Sequence, residues 1–156
     1  MSKKHTRDFV VQEMEFKELD VLDQELIEQA HRVCSGAYAP HSSFHVGSAV
    51  RLASGKIVVG SNQENMSYPS GLCAERVAFF SAGAQFPNDP IVAASVVTDM
   101  EMAPEYFSPC GGCRQVMVES ESRAGSDIRF LMQAASGPVL VSPDVRRFLP
   151  LTFQLP

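Results

Sequence analysis

The chain of 156 residues contains no run of apolar residues long enough to cross a bilayer, which excludes a helical membrane anchor and a membrane partner of that kind. It also lacks a signal-peptide core. The basic start Met1-Ser2-Lys3-Lys4-His5-Thr6-Arg7-Asp8 is not followed by an apolar stretch of that length. The two absences together predict a cytoplasmic protein, where thiols stay reduced and available to metal. Basic residues are in the minority, 13 Lys and Arg against 18 Asp and Glu, for a formal net charge of −5. That balance argues against tight binding to a phosphate backbone, so no nucleic-acid partner is expected, while a small uncharged substrate stays open. No internal repeat, low-complexity tract or linker divides the chain. With 45% hydrophobic and 20% charged residues it has an ordinary globular composition. Residues 1–156 are expected to form a single domain, with residues 1–19 as a candidate N-terminal arm.

Cysteine is scarce, with four in the chain, and three of the four fall into two motifs. The first is Cys73-Ala74-Glu75, a thiolate with a carboxylate two residues on. The second is Pro109-Cys110-Gly111-Gly112-Cys113, two thiolates three apart that reach one ion from a single helical turn. Taken alone, Cys110 and Cys113 read equally as a redox pair or as half of a structural zinc site. Three thiolates leave one tetrahedral zinc position free, which a structural site would normally fill with a fourth protein ligand. An open position holds water, and zinc lowers the pKa of that water. The set Cys73, Cys110, Cys113 with Glu75 resembles the zinc deaminase pattern, in which a glutamate carries protons without binding metal. Cys34 lies far upstream in a helical stretch and reads as a small buried apolar residue.

Residues 8–19 alternate loosely and read as an edge strand or an extended arm. From Asp20 to Ala37, Leu22, Leu26, Ile27, Ala30, Val33 and Cys34 recur at helical spacing, with Asp20 or Asp23 as the cap and Gly36 near the end. Val46–Leu52 and Lys56–Ser61 flank Ala53-Ser54-Gly55 as a β-hairpin. A polar loop over 62–72 leads to a helix over Ala74–Ala82 that Gly83 should stop. Ile91–Thr98 is a continuous apolar, β-branched run, as for a strand buried on both faces. Pro109 opens a helix to about Ser120. Ile128–Met132 and Val139–Val141 are short strands too close in sequence for a crossover, so they should pair antiparallel. The fold class is α/β, a layered α/β/α domain with a five-stranded mixed sheet. Both cysteine motifs fall at helix starts, where free N–H groups and the helix dipole favour the thiolate.

Three thiolates on Zn²⁺ leave a net negative centre, so cationic neighbours are expected. Arg76 and Arg114 each follow a ligand segment, and a guanidinium donating to a sulfur would draw off charge. The plainer reading makes both surface salt-bridge residues. Glu75 is the only carboxylate in either motif and suits proton transfer beside an activated water. Its plainer reading is a first-turn glutamate favoured by the helix dipole.

From Tyr38 to Phe153 the chain resembles the small homotetrameric cytidine deaminases. The likeness rests on Tyr38-Ala39-Pro40-His41-Ser42-Ser43-Phe44-His45-Val46-Gly47, Asn62-Gln63-Glu64-Asn65, Cys73-Ala74-Glu75-Arg76, Pro109-Cys110-Gly111-Gly112-Cys113-Arg114-Gln115, and Leu149-Pro150 with Phe153. It implies hydrolysis of cytidine and 2′-deoxycytidine to uridine and 2′-deoxyuridine, with ammonia released, by a zinc-bound hydroxide while Glu75 shuttles protons, in pyrimidine salvage. It implies that Asn62 and Glu64 hold the ribose, that Phe44 lies against the pyrimidine, and that the main chain at Ala74 and Ser108 meets the base edge. It further implies a homotetramer in which Phe153 of one subunit closes a neighbour's site. His45 stands where relatives often carry proline, and it reads with His5, His31 and His41 as solvated rather than catalytic. The first forty residues are longer than in compact members. A deaminase of another cytosine nucleoside such as blasticidin S, and a zinc-stabilised interaction domain without turnover, are the alternative readings.

Overall fold

The computed structural model describes residues 2–6 and 8–154. Three helices and six strands follow in the order β1 (Gln12–Met14), α1 (Val21–Cys34), β2 (Val46–Leu52), β3 (Ile57–Ser61), α2 (Ala74–Gln85), β4 (Ile91–Thr98), α3 (Gly111–Ala124), β5 (Arg129–Ala134) and β6 (Val139–Ser142). The strands form one mixed sheet in the order β1-β6-β5-β4-β2-β3. β4 and β5 pair in parallel through the α3 crossover, and every other neighbouring pair is antiparallel.

The expected α/β class holds, but the sheet has six strands rather than five. The extra strand is β1, whose Gln12 and Met14 sit opposite Val141 and Val139 of β6. Three residues are too few to display a period of two, so β1 exists because β6 offers it an open edge.

Local chemistry sets the helix ends. The Asp20 carboxylate caps α1 by accepting from the Asp23 N–H at 2.8 Å. α2 runs past Gly83 to Gln85. A helical glycine costs only about 1 kcal/mol, whereas Pro87 forces Phe86 out of the helical region (φ −134, ψ 63). α3 starts at Gly111, after an extended Cys110, and continues to Ala124, where Gly125 takes the left-handed conformation (φ 67) that closes it.

Alternation along β2 and β4 feeds two cores. Leu26, Ile27 and Ala30 of α1 pack on Ala49, Ala93, Val97 and Leu131. On the opposite face α2 and α3 pack Ala78, Phe79, Met117 and Val118 against Val50, Ala94, Val96 and Phe130. The C-terminal segment adds Val145 and Phe148 to this second core. Two glycines allow the helices to approach closely. A Cβ on Gly47 would lie 2.0 Å from the Ala30 carbonyl oxygen, and one on Gly60 would lie 2.6 Å from Ala78 N and 2.8 Å from Ala74 O. Gly60 thereby fixes the height of the first turn of α2 above β3. Among the described residues, no helix is long and apolar enough to cross a membrane.

Candidate metal centre

Cys73 and Cys110 occupy the same position on two helices. Each is the extended residue immediately before its helix, at φ −70, ψ 154 for Cys73 and φ −66, ψ 166 for Cys110. Cys113 lies in the first turn of α3, fully buried. The three sulfurs lie within 4.8 Å of one another. Cys73 Sγ and Cys110 Sγ are 3.7 Å apart, and Cys110 Sγ and Cys113 Sγ are 3.4 Å apart. Zn–S bonds of about 2.3 Å at the tetrahedral angle put sulfurs about 3.7–3.8 Å apart. The donor set therefore fits zinc, with three thiolates supplied and no fourth His, Cys, Asp or Glu within the cluster among the described residues.

The electrostatics are arranged for an anionic cluster. The neighbouring Cys113 thiol and Arg76 hold the Cys73 thiol far below its ordinary value, at about 5. The closeness of Cys73, together with burial, pushes Cys113 up. Zinc takes thiolates, so its binding would release thiol protons. Arg76 Nη2 lies 3.9 Å from Cys73 Sγ and donates to the Gly71 carbonyl at 3.4 Å. Its Nε is buried with no partner among the described residues. Arg114 behaves differently. Its Nε donates to Pro109 O at 2.8 Å, Nη1 to Phe148 O at 3.1 Å and Nη2 to Ser108 Oγ at 2.9 Å. All three nitrogens are spent on oxygens, so the expected donation of Arg114 to a sulfur is replaced by a brace on the segment leading into Cys110.

Glu75 is the second residue of α2, 5% exposed. Burial pushes its carboxyl up to about 7, the Cys73 thiolate adds to the rise, and the helix N–H, Cys113 and Arg76 oppose it. A carboxyl in this setting can exchange a proton close to neutrality. Ala74, between Cys73 and Glu75, is fully buried.

A cleft of about 500 Å³ opens beside Cys73 and Arg76, with Asn62, Glu64, His41 and Tyr68 on its walls. Glu64 accepts from His41 N at 2.7 Å and from the Ser42 N–H and hydroxyl, which hold its carboxyl below the usual carboxylate range. The Asn62 side chain accepts from Val46 N at 2.8 Å and donates to Phe44 O at 2.9 Å, so it fixes the backbone on both sides of His45. Phe44 is half-buried, edge-on to buried Phe107 at 6.4 Å between ring centroids. Ser108 is exposed and tied to Arg114.

Phe153 is not part of this cleft. Its ring is 74% exposed, while its backbone is held by Gln115, whose Nε2 donates to Phe153 O at 2.9 Å and whose Oε1 accepts from Phe153 N at 3.4 Å. Two cleft residues were given no role there by the sequence: His41, which lies inside the matched 38–47 stretch but reads as solvated, and Tyr68, which falls between two motifs; their rings meet edge-on at 5.7 Å. His45 pairs with Asp99 at 3.1 Å and His31 with Gln133 at 2.9 Å, both away from the sulfurs.

Comparison with known proteins places this geometry. The family model described as "Cytidine and deoxycytidylate deaminase zinc-binding region" matches residues 20–125. The cytidine deaminase of Halalkalibacterium halodurans is 44% identical over 96 residues, 62% of this chain and 70% of that protein. The cytidine deaminase of Sporosarcina psychrophila is 42% identical over 96 residues, covering 62% and 68%. Among solved structures, cytidine deaminase from Burkholderia pseudomallei superposes with a TM-score of 0.72 at 39% identity, covering 83% of this chain and 97% of that one. Cytidine deaminase from Mycobacterium tuberculosis gives a TM-score of 0.66 at 29% identity, covering 87% and 100%.

Proposed function

Because the chain belongs to the family of cytidine and deoxycytidylate deaminases, we propose that it replaces the exocyclic amine of cytidine and 2′-deoxycytidine by oxygen, releasing ammonia, as a step of pyrimidine salvage. The observation that carries this reading is the buried Glu75 carboxylate in the first turn of α2, beside three converging sulfurs that leave one side open. Cys73, Cys110 and Cys113 would hold zinc, which when bound acts as a Lewis acid and lowers the pKa of a water at its open position. Glu75 does the proton work. It takes a proton from the water that adds to C4, delivers it to the ring nitrogen, and then carries a proton to the amine as the C4–N bond breaks. Net, one water is consumed and one ammonia leaves. The arginine pair divides its labour, with Arg76 offsetting the charge at Cys73 and Arg114 holding the Ser108–Pro109 segment.

Glu64 already accepts three hydrogen bonds from His41 and Ser42, and its one remaining acceptor site suits a sugar hydroxyl. Asn62 contributes by holding Phe44 in place against the pyrimidine. Main-chain groups at Ala74 and Ser108 meet the base edge. The exposed ring of Phe153, on a backbone pinned by Gln115, suits insertion into a neighbouring copy. This favours a homotetramer with dihedral symmetry and shared sites.

The test is loss of cytidine absorbance, run across cytidine, 2′-deoxycytidine, cytosine, the monophosphate and blasticidin S. Turnover of the two nucleosides is expected, and Glu75→Gln should lower it at least about a hundredfold with zinc content near normal. No turnover by zinc-loaded wild type, or near-wild-type turnover by Glu75→Gln, would sink the reading.

A further inference from the structure

We propose that the N-terminal arm is a positioning element for this site, with Phe9 as its contact residue. The proposal rests on the deaminase reading and on a chain of contacts across the molecule. β1 anchors the arm on the free edge of β6, and Val11 packs against the core below α2 and α3. From there Phe9 reaches Phe148, ring centroids 5.5 Å apart and planes 71° apart. Phe148 is itself seated on Phe130 at 5.6 Å. The Arg114 guanidinium lies 5.8 Å from the Phe148 ring centroid and donates to the Phe148 carbonyl at 3.1 Å. The remaining donors of Arg114 grip Pro109 O and Ser108 Oγ, directly before the ligand Cys110. Asp8, Phe9, Val11, Ser108, Arg114 and Phe148 wall one hollow of about 470 Å³, so the arm and the ligand-bearing segment face each other across a common space.

Two observations separate this role from a merely structural one. Phe9 is 58% exposed, so its ring adds little to the core and its removal leaves the fold standing. The arm also lies outside the matched family region, which begins at residue 20. The arm supplies neither a sulfur of the cluster nor Glu75, so its effect is one of adjustment. Without Phe9, Phe148 and Arg114 gain freedom, and the Ser108–Pro109 segment moves away from where the base edge is read.

The experiment compares wild type with Phe9→Ala, Phe9→Tyr and a chain lacking residues 2–10, all zinc-loaded. One readout is kcat and KM for cytidine. The second is the rate at which zinc is lost to a competing chelator, which needs no substrate. Phe9→Ala should raise KM about two- to tenfold with kcat nearly kept, the range an aromatic pair supports. It should speed zinc loss severalfold, leaving the thermal midpoint near wild type, and Phe9→Tyr should restore both values. The truncated chain should match Phe9→Ala. Wild-type KM and wild-type zinc loss in Phe9→Ala would overturn the proposal. So would a lowered thermal midpoint with both values unchanged. If wild type itself does not turn over cytidine, the deaminase reading fails, and the zinc-loss comparison still decides the arm's role.

Discussion

Glu121 sits on α3 with no exposure to solvent, yet it carries a carboxylate. Its Oε2 accepts from Ile128 N at 2.9 Å and from Val145 N at 3.0 Å. Its Oε1 lies 2.9 Å from Arg146 Nε, but the contact is misaligned, leaving Oε1 without a hydrogen bond in the strict sense. One oxygen thus serves two backbone donors from two segments, the lead-in to β5 and the turn before Phe148. Glu121→Ala strands both N–H groups in the core at about 1–3 kcal/mol each, so a total near 4 kcal/mol is expected. With a urea slope of about 2 kcal/mol/M, the midpoint of the metal-loaded protein should fall by about 2 M. Glu121→Gln keeps an oxygen able to accept both bonds, but it loses the Arg146 pair and turns a buried NH2 toward the Arg146 donor. The pair is worth less than about 1 kcal/mol because Arg146 is 53% exposed, and the unpartnered amide adds about 1 kcal/mol, so the Gln loss should be about half the Ala loss, or about 1 M. Urea titration followed by circular dichroism reads both variants. Equal losses for Ala and Gln, or an Ala loss under about 1 kcal/mol, would refute the accounting, since the backbone donors would then have found other partners.

Gly60→Ala should cost about 1–3 kcal/mol through overpacking and, because it lifts the first turn of α2, weaken zinc binding; unchanged zinc affinity in a competition titration would count against it. Hydrogen bonds from Ser42 and His41 hold the Glu64 carboxyl below its unfolded value. The stabilisation it gives the 41–44 loop is therefore whole above the ordinary carboxylate range and is lost as pH falls through the lowered value. Ser42→Ala should move that loss to higher pH, and a carboxyl ¹³C titration showing no difference between the two proteins refutes this. Phe153→Ala should raise KM or lower turnover with zinc and secondary structure intact, and light scattering should find a homo-oligomer. A fully active monomer at assay concentration would remove Phe153 from any neighbour's site.

What could be read from the chain, and what could not, follows from how local each feature is. The Cys73-Ala74-Glu75 and Cys110–Cys113 spacings are local, and each motif indeed opens a helix. The Ile91–Thr98 run announced a doubly buried strand because both of its faces are apolar. Residues 8–19 read as an edge strand or an arm, and which of the two could not be decided locally, because the pairing of Gln12–Met14 depends on a β6 edge more than a hundred residues away. Glu121, set among Ser120, Ser122 and Arg123, looks like any solvated residue, and its burial depends on where Ile128 and Val145 arrive. Arg76, three residues after Cys73, and Arg114, directly after Cys113, each end a ligand motif, yet only Arg76 approaches a sulfur. Arg114 is drawn off by the Phe148 carbonyl, a partner no spacing rule supplies.

The sulfurs also carry a consequence for how the protein assembles. Cys110 and Cys113 are neighbours on one turn, while Cys73 is 37 residues upstream of Cys110, with β4 between them. An unfolded chain therefore already offers a two-thiolate chelate but not a three-thiolate one. Any affinity of that open chain for zinc subtracts from the stabilisation the metal gives the native state. The third ligand arrives only when α2 and α3 dock on the same face of the sheet, which requires the non-local parallel pairing of β4 and β5. Two ligands are thus local and the third is tertiary, so tight metal binding and the folded state are coupled.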